Sequence, residues 1–62
     1  MKYRVGDKVK KITGDYSFDG TVVAAFTMLG GAERYVVEHG QCHMLHIFNE
    51  KNLALVERVA ME

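Results

Sequence analysis

The chain has no proline, one cysteine and no net charge among its 62 residues. Each shortage excludes something. The lone Cys42 cannot form an intramolecular disulfide, which points to a reducing compartment and sets a cytoplasmic expectation. No apolar run approaches membrane-spanning length and nothing resembles a signal peptide, so no membrane partner is expected. Eight basic residues balance eight acidic ones, which argues against a binder driven by the phosphate field of nucleic acid. Without internal repeats or low-complexity segments, residues 1–62 read as a single domain, with its core from about residue 5 to 58. A domain of this size buries only about 60% of its unfolded surface, so association with other chains is the expected source of extra stability.

What is present is glycine at intervals: positions 6, 14, 20, 30, 31 and 40 cut the chain into short runs, the mark of an all-β domain. Five strands are expected. The first runs from about Asp7 to Ile12, followed by "TVVAAF" (Thr21–Phe26), "RYVVE" (Arg34–Glu38), "HMLHIF" (His43–Phe48) and "LALVERV" (Leu53–Val59). "TMLGGAE" reads as a hairpin connection with Gly30-Gly31 supplying positive φ, "EHGQC" as a second turn and "NEKN" as a third. A helix over "EKNLALVERVAME" is the alternative for the last segment, on propensity alone. Five short strands in so short a chain predict a small, strongly bent SH3-like barrel. Its expected core is Val9, Val22, Ala24, Phe26, Val36, Leu45, Ile47, Leu53 and Val56.

"HMLHIF" lacks the polar face of a half-buried strand. If Leu45 and Ile47 fill the core, then Met44, His46 and Phe48 are left on the other side. "TVVAAF" has the same property, and together the two segments predict an exposed apolar patch that self-association would cover. In a cyclic assembly, copies of His46 would approach a common axis.

Other constellations carry less chemistry. His39, Cys42, His43 and His46 crowd into eight residues, but strand alternation sends His43 away from Cys42 and His46, and the spacing fits no zinc signature; no metal is expected. Cys42 lacks the helix start or oxyanion turn that an activated nucleophile needs. Asp15 and Asp19 suit turn chemistry. Lys2, Arg4, Lys8, Lys10 and Lys11 place five of the eight basic groups in the first eleven residues. They form a local basic edge that meets phosphates or carboxylates, or else a lysine-protected strand edge. A nucleic-acid role would use Lys8, Lys10 and Lys11 with Tyr16 or Phe18 as stacking groups.

The order Gly-Asp-x-Val, basic residues, Thr-Gly and Gly-x-Val-Val in "VGDKVKKITGDYSFDGTVV" resembles the opening of SH3-like barrels, KOW modules included. From Gly6 to about Glu57, the landmarks "GDKVKK", "TG", "FDGTVV", "RYVVE", "LHIF" and Leu53 resemble the plasmid-type (type II, trimethoprim-insensitive) dihydrofolate reductases. "LHIF" (Leu45–Phe48) stands where that family has Val-Gln-Ile-Tyr. The resemblance implies an SH3-like barrel that assembles as a homotetramer around a central pore, where NADPH and dihydrofolate meet. It implies that Ile47 offers backbone N–H and C=O groups to the nicotinamide amide and the pterin. His46 would stand in for the pore-lining glutamine, Phe48 for a ligand-contacting tyrosine, and Lys11 for a lysine that attracts the cofactor phosphates and the folate tail. Catalytic roles would thus fall on His46, Ile47 and Phe48, and cofactor binding on these with Lys11. Several protonated copies of His46 near an axis would repel, making binding pH-sensitive. Phe48 keeps the ring and loses one hydroxyl bond, about 1 kcal/mol. The chain is also similar to small uncharacterised phage and prophage barrels. That second resemblance implies a non-catalytic binder of a nucleotide-like ligand, with a protein- or nucleic-acid-interaction module as a third alternative.

Overall fold

Turns with their own hydrogen bonds separate the strands. In the computed structural model, which describes residues 1–58, the strands are β1 (Lys8–Lys11), β2 (Asp19–Thr27), β3 (Glu33–His39), β4 (Leu45–Phe48) and β5 (Leu53–Glu57). All pairings are antiparallel, in one sheet of order β4-β3-β2-β1-β5. The strand reading of the last segment holds through Glu57 and excludes the helix there; Val59 and the "AME" end lie outside the described residues. Among the described residues no helix is long and apolar enough to cross a membrane.

"NEKN" forms a 3₁₀ turn over Glu50–Asn52. The Asn49 side chain accepts from the N–H groups of Lys51 and Asn52, and the Asn52 side chain accepts in return from the Asn49 N–H. This reciprocal cap lets a short link join β4 to β5, which lie at opposite ends of the sheet. Across a flat sheet those ends would stand about 19 Å apart, at about 4.8 Å per strand. Three residues of 3₁₀ turn rise only about 2 Å each, so the sheet must curl strongly to let the link reach.

The core lies inside that curl and consists of Tyr3, Val9, Val22, Tyr35, Val37 and Leu53, with Phe18, Ala25 and Phe48 packed against it. Tyr3 and Tyr35 meet edge to face, ring centroids 5.2 Å apart. The Tyr3 hydroxyl donates to the Leu53 carbonyl at 3.0 Å, and the Tyr35 hydroxyl accepts from the Lys2 N–H at 2.9 Å. These bonds fasten the N-terminal segment to β3 and β5. Asp7 is fully buried; its Oδ2 accepts from the Arg4 N–H at 3.0 Å and lies 3.2 Å from the Arg58 guanidinium.

The sheet corrects the expected core. Val9, Val22 and Leu53 are buried as expected, but Ala24 and Val36 lie half-buried on the outer face, and Phe26, Leu45, Ile47 and Val56 are exposed. Two causes account for most of this. In β2 the register shifts between Val22 and Ala24, so a bulge at Val23 reverses the alternation: Val22 and Ala25 point in, Ala24 and Phe26 point out. In β3 the inward residues are Tyr35 and Val37, and β4 inherits that parity through the pairs Tyr35–Phe48, Val36–Ile47, Val37–His46 and Glu38–Leu45. A shift of one residue moves every side chain to the other face. Hence Leu45 (63% exposed) and Ile47 (64%) look outward, while His46 and Phe48 look inward.

Candidate functional site

Phe18 is the centre of an inward-facing group of half-buried rings at the margin of the core. The loop before β2 places it. The Lys11 N–H donates to the Phe18 carbonyl at 2.9 Å, and the Lys11 ammonium donates to the carbonyls of Thr13 and of Tyr16, the latter at 2.9 Å. The same ammonium sits over the Tyr16 ring, 4.1 Å from its centroid. Gly14, at φ +86°, allows the loop to fold around that nitrogen. Lys11 is therefore buried and holds the loop from within.

Around Phe18 the rings form a continuous strip. His39 stacks on it at 4.3 Å and 22°, His46 lies 4.9 Å away, Phe48 6.0 Å and Tyr16 6.2 Å. His46 and Phe48 are nearly parallel, 11° apart with centroids at 5.7 Å. All but the exposed Tyr16 are half-buried, so the strip keeps an open side. The His39 Nδ1 accepts the N–H groups of Gln41 at 3.0 Å and Cys42 at 3.3 Å, which places its proton on Nε2. His39 thus pins the β3–β4 loop with one ring nitrogen while its face lies against Phe18. In that loop His43 takes the left-handed conformation, at φ +62°, and its Nδ1 meets Glu38 at 2.8 Å. The His46 Nε2 is buried with no hydrogen-bond partner among the described residues, and an unpaired buried polar atom costs free energy.

The backbone of β4 adds the second element. The His39 N–H donates to the Met44 carbonyl at 2.8 Å. In an antiparallel ladder hydrogen-bonded and non-bonded pairs alternate, so Val37–His46 and Tyr35–Phe48 are bonded pairs, and Glu38–Leu45 and Val36–Ile47 are not. The N–H and C=O groups of Leu45 and Ile47 therefore point away from β3, along the open edge of the sheet, since no strand among the described residues pairs with the far side of β4.

The structure thus gathers two of the four expected site side chains and separates the others. His46 and Phe48 join the strip, Ile47 brings its backbone to the adjacent edge while its side chain faces outward, and the Lys11 ammonium is engaged with loop carbonyls. Phe18 and His39 escaped the sequence reading as partners of His46. Only the pairing of β2 with β3, which sets Gly20 against His39, brings them together. Among the described residues no three His, Cys, Asp or Glu side chains are grouped to hold a metal ion. Comparison with protein-family models, with curated proteins and with solved structures returns no match.

Proposed function

We propose that the chain self-associates and binds a planar heteroaromatic ligand of the pterin or nicotinamide type on its ring strip, with NADPH-dependent reduction of dihydrofolate as the activity. The observation that carries this reading is the unpaired donor–acceptor pair of Ile47 on the β4 edge, beside the rings of His46 and Phe48. A ring carboxamide presents the complementary acceptor and donor, and half-buried aromatic faces stack planar rings. The residues present therefore fit a nicotinamide head group. Bound there, NADPH would supply a hydride to C6 of the dihydropterin, with N5 taking a proton from water. The chain's own part is alignment: Ile47 fixes the carboxamide, Phe18 and Phe48 set the ring plane, and His46 directs its unpartnered Nε2 to a ligand atom or a second copy.

Self-association in this reading uses the outer face. Ala24, Val36 and Ile47 lie in one cross-strand row, with Phe26 and Leu45 beside it. Side chains of this size exposed together usually mark an interface. The patch in this reading has different members from those expected: Leu45 and Ile47 are exposed where His46 and Phe48 turn inward, and Met44 is exposed as well. A curled sheet that closes as an SH3-like barrel, four copies around a pore, is the assembly the resemblance implies, with a cytoplasmic setting.

Two measurements test the proposal. Light scattering should give a mass of about four times the 7.0 kDa chain, and NADPH absorbance should fall when dihydrofolate is added at trimethoprim levels that silence other reductases. Absence of turnover at micromolar protein overturns the reductase activity; saturable NADPH binding without turnover selects the non-catalytic nucleotide-like binder. A monomeric mass removes the shared pore.

A further inference from the structure

With the Lys11 ammonium engaged inside its loop, the anionic part of a ligand needs another cation. One stands at the end of the strip. A cleft of about 500 Å³ opens beside the stacked Phe18–His39 pair and is lined also by Lys10, Ser17, Asp19 and Gln41. Clefts of about 300–1,000 Å³ suit small-molecule ligands. Of the three lysines around β1, Lys8 donates to the Thr21 hydroxyl at 3.0 Å and Lys11 is buried on carbonyls. Lys10 is exposed and, among the described residues, has neither a hydrogen-bond nor an ion-pair partner. Asp19 lies directly opposite Lys10 in the β1–β2 register, yet no ion pair joins them.

We infer that this cleft binds a nucleoside monophosphate unit. Its base stacks on the Phe18–His39 end of the strip, its phosphate meets the Lys10 ammonium, and its ribose hydroxyls face the Asp19 carboxylate. The cleft's charges match that ligand class: one cation suits one phosphate, and one carboxylate accepts from a hydroxyl while disfavouring a second anion beside it. The Ser17 hydroxyl and the Gln41 amide supply the neutral donors. This inference rests on the ring-stacking part of the proposed function and relocates the anion contact from Lys11 to Lys10.

The test compares adenosine 5′-monophosphate with adenosine, each titrated into the full chain and followed at the ring resonances of Phe18 and His39. The monophosphate should bind about tenfold more tightly than the nucleoside at low salt, equivalent to about 1.4 kcal/mol, and the gap should shrink as salt rises. Lys10→Gln should bring the two within about twofold of each other, on the same conversion. Lys8→Gln should leave the gap intact. A preference that survives Lys10→Gln, or no preference in the unmodified chain, overturns the Lys10 assignment while leaving ring stacking in place. Adenosine that moves neither ring removes the stacking site and this inference with it. Preference for the monophosphate without dihydrofolate turnover supports the cleft and counts only against the reductase activity.

Discussion

Two proline substitutions, one residue apart, should behave in opposite ways. Proline deletes one backbone N–H and fixes φ near –65°. If the β3–β4 ladder alternates as the His39–Met44 bond dictates, the His46 N–H is bonded to β3 and the Ile47 N–H faces the open edge. His46→Pro then removes a ladder bond and strands the Val37 carbonyl, a loss of about 1–3 kcal/mol, in addition to the distortion of a paired position. Ile47→Pro loses no ladder bond, because edge positions with the N–H outward tolerate proline; what remains is an adjustment of φ within the allowed extended region, smaller than the loss of a bond. A chain of this size has about 3–9 kcal/mol of stability in total, at about 0.05–0.15 kcal/mol per residue, so the difference should be visible. With a urea slope of about 1 kcal/mol/M for a small domain, the midpoint of His46→Pro should fall about 1–3 M, and that of Ile47→Pro by less than about 1 M. Circular dichroism in urea reads both. Ile47→Pro should also lose binding of NADPH while remaining folded. Equal losses of stability, or a larger loss for Ile47→Pro, would show that the parity is reversed and that Ile47 has no free donor.

Three further outcomes follow from the packing. Tyr3→Phe strands the buried Leu53 carbonyl and should lower stability by about 1–3 kcal/mol, read as a lower urea midpoint at unchanged slope. A Cβ on Gly20 would stand 2.6 Å from both the Glu38 carbonyl and Val37 Cγ1; Gly20→Ala should cost about 1–3 kcal/mol by forcing β2 from β3, and should shift the His39 ring resonances because His39 lies opposite Gly20. The double change Leu45→Thr, Ile47→Thr leaves the core untouched and keeps strand propensity. It should reduce the light-scattering mass to that of one chain without loss of the circular dichroism spectrum; an unchanged mass would move the interface elsewhere.

The strands were legible because their punctuation is local. Gly14 and Gly31 take positive φ, and the "NEKN" cap closes within four residues. The faces were harder. "RYVVEH" has apolar residues at 35, 36 and 37, so either parity fills a core. The polar pair Arg34 and Glu38 shares its parity with Val36, however, and that signal assigns Tyr35 and Val37 inward. Tyr3 would have reinforced it, but the first six residues carry no strand pattern, and Tyr3 joins the core through its contacts with Tyr35 and Leu53. The bulge at Val23 has no signature in "TVVAAF", and it alone turns Phe26 outward. Lys11 illustrates a different limit: among clustered lysines, only the loop's carbonyl geometry decides which ammonium is taken up internally. The missing polar face of "HMLHIF" singled out His46 and Phe48, but the sides they occupy are the reverse of those expected, because β4 takes its parity from β3.

The free backbone pair of Ile47, beside the His46–Phe48 rings, is the proposed seat of a planar ligand. An NADPH titration followed at every backbone amide tests it most directly. Saturable movement of the Ile47 amide resonance is expected together with the rings of Phe18 and Phe48, with little change at the His46 amide, whose proton is bonded within the sheet. Saturable binding that leaves Ile47 and those rings unmoved, or no binding at all, would contradict it.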